Sequence, residues 1–345
     1  FQPEENYQYQ FEFRHRLYHG GKTWFGWSLR SQEAKVQSFR HYRRRQEILF
    51  EVARRYYDVL LARRNYEIAE NTLARSRNQL ERMQGRLDVG EGTRTNLLRT
   101  EVSVSRSKQE LRSARNDLDV AKRQLGLSVG LDSAPRTVEE VTLDGFDEDI
   151  DTHLDRALEN RWDLRQARSN LRAARERVKW ERADYFPSLD LVSQYSNADK
   201  PRFSDETENW NVRLVGSYPL FSGWRETAEV EQAISQYDAM AAEVERLRKE
   251  IRVSIRSVYE DVKTQRDVIQ TAEDEVKSAR QNYERVSAEF EEGLVSAVDV
   301  DDALRALQES EGRLARARYN YQLGILRLRL ATGVFQKGLL EKNLK

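Results

Sequence analysis

The chain has 345 residues with 58 basic and 58 acidic side chains, so its zero formal charge gives no general pull toward nucleic acid or an anionic membrane surface. Charged residues make up 34% and apolar residues 39%, with glycine and proline sparse, a composition that fits long exposed helices and argues against two ordinary globular cores. Cysteine is absent, which rules out disulfides, thiolate metal sites and a cysteine nucleophile.

The chain does not begin with Met, and FQPEENYQYQ reads as the interior of something longer, so a processed or incomplete N-terminus is expected. A strand is predicted near 7–18, where Tyr7, Tyr9, Phe11 and Phe13 alternate with Gln8, Gln10, Glu12 and Arg14. His15 and His19 lie close together, but HRLYH supplies no third ligand, and neither a metal nor a cofactor is expected. From 23 to 88 there is no proline and little glycine. Ile48, Val52, Tyr56, Val59, Tyr66, Ala69, Leu73, Leu80, Met83 and Leu87 recur there mostly at threes and fours, the stripe of a long helix. At ~1.5 Å per residue such a helix spans roughly 100 Å. The basic run at 40–45 is local, and acidic residues interrupt it, so no nucleic-acid partner is expected.

A glycine turn near 89–95 reverses the chain into a return helix over 96–128. A turn-rich connector follows at 131–150. One helix is predicted over 151–184, with Leu154, Ala157, Leu158, Leu164, Ala167, Leu171, Ala174 and Val178 inward, closed by Pro187. Strands are expected near 186–196 and 208–218, joined by a polar loop. In the latter, Trp210, Val212, Leu214, Gly216 and Tyr218 face one way and Asn211, Arg213 and Ser217 the other, with Val215 an exception. A second long helix fills 225–292, a second glycine turn lies near 293–298, a return helix fills 299–332, and 334–345 reads as a frayed tail.

Gly20, Gly90 and Gly130 each recur 203 positions later, as Gly223, Gly293 and Gly333. Three landmarks at one offset indicate a duplicated strand–long-helix-hairpin unit, with repeats at 1–130 and 151–333. The helix and strand that open the second repeat have no counterpart in the first, so about 50 residues are expected to be missing from its front. No run of 18 apolar residues could cross a bilayer as a helix. The alternating strands fit either a sheet on a soluble core or a transmembrane barrel, which leaves no open edge in lipid. Striped helices demand partner helices, which an ordinary coiled coil would also provide. No catalytic constellation, phosphate loop or nucleophile elbow is present, and the chain does not read as an enzyme.

The ordered phrases FPSLDL, YPLFSGW, EEGLVSAVDVDDALRAL and ARYNYQLGILRLRLATG, with RLYHGG, RLDVGEGTRTNLLRTE and LRSARNDLDVAKRQLGLSVG in the first repeat, resemble the TolC family of outer-membrane efflux proteins. The resemblance implies a mainly α fold with transmembrane β: a homotrimer whose 12-stranded β-barrel in outer-membrane lipid continues into a periplasmic α-helical barrel. It also implies a passive exit duct that works with a periplasmic adaptor (membrane fusion protein) and an inner-membrane transporter, in drug efflux or type I secretion. Three of the four strands expected per protomer are visible. The alternative is a non-channel periplasmic coiled-coil scaffold or partner-binding protein.

The resemblance assigns adaptor contact to the hairpin tips, here Val89, Gly90, Glu91, Gly92 and Thr93, and Gly293, Leu294, Val295 and Ser296. It also places aspartates of the family's tunnel constriction at Asp299 and Asp302. These two share a helical face, and threefold symmetry would make each a ring of three charges. Arg94 and Arg99 are candidates to pair with them across a helix contact, and Asp301 should face elsewhere. Helix capping by Asp299 and a solvated Asp302 explain the same residues.

Overall fold

The computed structural model describes residues 7–131, 143, 149–199 and 207–335, so most of the connector at 131–150 and the tail from 336 onward lie outside the described residues. Strand β1 is Tyr7–His19, followed by helices α1 (Lys22–Asp88), α2 (Arg94–Ser128), α3 (Ile150–Asn160) and α4 (Trp162–Arg182). Strands β2 (Ser188–Asp199) and β3 (Thr207–Ser217) precede helices α5 (Arg225–Glu291) and α6 (Ala297–Ala331). The long helices α1 and α5 have 67 residues each, and the return helices α2 and α6 have 35 each. No described helix is long and apolar enough to cross a membrane.

The three strands form one antiparallel sheet in the order β1-β2-β3. Directly opposed residues of an antiparallel pair lie on the same face. Register therefore groups Phe11, Tyr195 and Trp210 on one face, with Phe13, Ser193 and Val212 beside them. Phe11 is 68% and Trp210 74% exposed, so among the described residues nothing covers this apolar face. The opposite face carries Glu12, Gln194 and Asn211 in one rung and Arg14, Val192 and Arg213 in the next. A register shift between Arg16 and Tyr18 bends the end of β1. Among the described residues, β1 and β3 each pair only with β2, which leaves a free edge on either side.

The chain divides into two compact units, Phe1–Tyr42 with Trp162–Lys249, and Arg43–Arg161 with Glu250–Lys345. The first holds the sheet and the helical segments next to it. Leu29, Val36, Leu164, Val230, Ala233 and Val244 are buried there. The strand-to-helix junction after β1 is tightly fixed. Gly20 has φ +56°, and a Cβ there would sit 2.3 Å from the Ala183 carbonyl oxygen. Lys22 donates to Asp184 at 2.6 Å and lies 3.8 Å over the Trp180 ring.

In the second unit, Val262 packs with Ile325 and Leu328 between α5 and α6, and Val59 packs with Leu125 between α1 and α2. Gly324 lets these helices close up, since a Cβ there would lie 3.0 Å from a Val262 methyl. The hydroxyls of Ser76 and Ser107 satisfy each other at 3.0 Å in the buried α1–α2 seam.

Two sequence expectations need correction. The single helix over 151–184 is two helices, interrupted at Arg161, which is extended at φ −63° and ψ 125°. No proline or glycine marks the break; tertiary packing makes it. Arg161 donates through its side chain to the Ala331 carbonyl at 3.3 Å, and the Gly333 backbone passes so close to Asn160 that a Cβ would clash at 2.8 Å. The Asp163 carboxylate then accepts from the Leu164 amide at 2.8 Å as the next helix starts. Ile48, assigned to the inward stripe, is 49% exposed.

Candidate functional site

Both hairpin tips lie in the second unit, and each is built by a glycine that the helix before it requires. At the first tip, Gly90 has φ +82° and its amide donates to Leu87 at 3.0 Å, while the Glu91 and Gly92 amides both reach the Arg86 carbonyl. Thr93 caps α2, its hydroxyl accepting from the Asn96 amide at 3.2 Å. At the second tip, Gly293 has φ +79°, its amide donates to Phe290 at 3.0 Å, and the Leu294 amide donates to Glu289 at 2.9 Å. Such turns satisfy the last carbonyls of a helix, and the left-handed residue favours glycine.

A reciprocal capping box opens α6. The Asp299 amide donates to the Ser296 hydroxyl, and the Ser296 hydroxyl and amide donate back to the Asp299 carboxylate at 2.6 and 2.8 Å. Those two bonds hold the Asp299 carboxyl below its usual pKa.

Beneath the tips lies a shared apolar cluster of Met83, Leu97, Phe290, Ala297 and Val300. Val295 packs against it and is only half-buried, so of the two apolar residues at this tip Leu294, 71% exposed, is the one offered to solvent. Val89 at the first tip is 72% exposed. Glu91, Thr93 and Ser296 are exposed as well, and Gly92 is half-buried.

Sequence reasoning missed two arginines that pin the tips together. Arg86 donates to the Phe290 carbonyl and lies 5.3 Å over its ring, while Arg82 pairs with Glu291. The only signal was their place on the last turns of α1. Asp301, expected to face away from Asp299 and Asp302, gains partners that the sequence did not name. This residue faces α2, accepting from Ser103 at 2.5 Å and from Arg305 at 2.6 Å, with Arg106 at 3.7 Å. Its side chain is 26% exposed, against 64% for Asp302, whose partner is Arg305 at 2.8 Å. The hydrogen bond to Asp301 is the main cause of a raised Arg305 pKa.

Within the chain, Asp299 and Asp302 are thus engaged by Ser296 and Arg305, and neither pairs with Arg94 or Arg99 among the described residues. Arg94 and Arg99 are exposed at the start of α2. Arg99 lines a cavity of about 400 Å³ with Leu98, Val102, Ser103, Val298 and Asp301.

Glu181, Asp184 and Glu229 gather in the first unit, but Arg177 and Lys22 already bind two of these carboxylates. The trio reads as an ion-pair cluster.

A family model described as outer membrane efflux protein matches residues 3–131 and 153–334. The chain is 24% identical over 324 residues to outer membrane protein TolC of Vibrio cholerae, covering 91% of this chain and 74% of that protein. It is 26% identical over 307 residues to the alkaline protease secretion protein AprF of Pseudomonas aeruginosa, covering 86% of this chain but 63% of that protein, under two thirds of its length. Among solved structures, VceC of Vibrio cholerae superposes with a TM-score of 0.81 at 19% identity, over 95% of this chain and 80% of that one. CusC superposes with a TM-score of 0.82 at 21% identity, over 95% and 78%. These likenesses establish the fold: mostly helical, with a short strand region.

Proposed function

Because the chain belongs to the outer membrane efflux protein family, we propose that it acts as an exit duct in the outer membrane, passing substrates handed over by an inner-membrane transporter and a periplasmic adaptor. Conduction is passive, and the protein is a channel rather than an enzyme. The single observation that carries this reading is the sheet: among the described residues one face is apolar and uncovered, the other is polar, and both edges are free. Open edges are untenable in lipid, so further strands must pair with β1 and β3. Copies of this chain arranged as a trimer close the barrel when each supplies four strands.

The two strand–helix-hairpin runs are the product of a duplication, a reading supported by their matched helix lengths. The tips, with Val89 and Leu294 exposed, are the adaptor-docking surface. Asp299 and Asp302 form charged rings at the periplasmic entrance. Arg94 and Arg99, unengaged by those carboxylates within one chain, meet a neighbouring copy or the adaptor.

The test is the mass and symmetry of full-length protein extracted from outer membranes in mild detergent. Threefold particles with a barrel and a helical tunnel are expected. A monomer, or a rod without a barrel, overturns the channel and favours a coiled-coil scaffold.

A further inference from the structure

The polar face of the sheet carries more than generic polarity. Register places Arg14 and Arg213 on either side of Val192 in a single rung. Both arginines are exposed, whereas Val192 between them is 3% exposed, flanked by their aliphatic stems.

The charges on this face do not cancel. Glu12 pairs with Arg14 at 3.0 Å, and Asp190 pairs with Arg16 at 3.4 Å. Arg213 has no ion pair among the described residues. Among the described residues, three arginines thus stand against two carboxylates on this face.

Depth matters as well. Arg213 lies four residues before the end of β3, which at ~3.4 Å per residue puts it roughly 14 Å from the periplasmic end of the sheet. A barrel's apolar band is ~25 Å tall, so the rung sits near its middle, where an arginine facing lipid is strongly disfavoured. These side chains must therefore face water inside.

We propose that Arg14 and Arg213 form an anion-attracting rung at mid-depth in the barrel, a selectivity site for solutes bearing carboxylate, phosphate or sulfate groups. The proposal rests on the channel reading above. In a threefold barrel the described strands bring six guanidinium groups to this rung, and among the described residues half of them have no carboxylate partner. Rings of arginine are the usual means of favouring anions in a pore. Its sign is opposite to that of the aspartates at the hairpin tips.

None of the 345 residues is a cysteine, which permits a thiol-labelling test. Gln194→Cys places a thiol in the adjoining rung, beside Glu12 and Asn211. Trimers in lipid vesicles are labelled with an anionic sulfonate methanethiosulfonate and, separately, with a cationic trimethylammonium one. The expected anionic-to-cationic rate ratio falls several-fold when Arg213→Gln is added and is kept by Arg213→Lys. Arg14→Gln, which releases Glu12, lowers the ratio as well and serves if the Arg213→Gln variant assembles poorly. An unchanged ratio in the glutamine variants overturns the rung while leaving the channel standing. A thiol that reacts with neither reagent means the polar face is not a water-filled lumen, and overturns the channel reading itself.

Discussion

Hydrogen bonds from the Ser296 hydroxyl and amide keep Asp299 ionised and tie it to the first turn of α6. Because its folded pKa is depressed, the stability it contributes is present above the unfolded value and lost as pH falls through the folded one. Ser296→Ala should destabilise this helix start by about 1 kcal/mol, read as faster amide hydrogen exchange over the first turn of α6. In wild type the same loosening should set in only below the ordinary carboxylate range, and a first turn equally loose at neutral pH would contradict the box. Asp301 acts differently, because its partners Ser103 and Arg106 sit on α2. Asp301→Ala should loosen the contact between the hairpins and raise resting conductance in planar bilayers. Alanine at both Asp299 and Asp302 should instead lower cation preference, and unchanged reversal potentials would rule out those aspartates as a filter. The glycines at the tips stood out in the sequence because turn chemistry marks them, and the aspartates because the family resemblance points to them. Arg82, Arg86 and Asp301 did not, because each gains its role from a partner about 200 positions away.

At the level of elements, the junction between strand and helix offers a sharper comparison. Gly20 and Gly223 occupy equivalent places and both have positive φ, but only Gly20 has a backbone oxygen within 2.3 Å of a would-be Cβ. Alanine at either site carries the left-handed penalty of ~1–2 kcal/mol. Gly20→Ala should cost clearly more than Gly223→Ala, measured as loss of heat-resistant assembly; equal losses would show that Ala183 yields readily. The strands allow a second contrast. Val212→Arg puts a charge on the apolar face and should cost ~2–4 kcal/mol in a bilayer, whereas Asn211→Arg on the polar face should be tolerated, with denaturant titration in vesicles as the readout. Alternation made these faces readable from sequence alone, since period two admits no other assignment. The helix break at Arg161 was unreadable, because the cause is the passing backbone of Gly333 rather than any local breaker.

At the scale of the whole molecule, the described residues of one chain leave the apolar strand face, two strand edges and the exposed tips without partners. Such a surface makes sense only in an assembly, and assembly is what family-level phrases conveyed and periodicity alone did not. The pairing of the tips by Arg82 and Arg86 has a further effect on that assembly. It welds two unlike hairpins, one capped by Thr93 and the other by Ser296 and Asp299, into a single doublet. A ring of three chains would then present three doublets instead of six equal points. A partner with sixfold symmetry would have to seat identical copies in two alternating environments, tolerating a mismatch at every second position. A partner made of three dimers would match the doublets one to one.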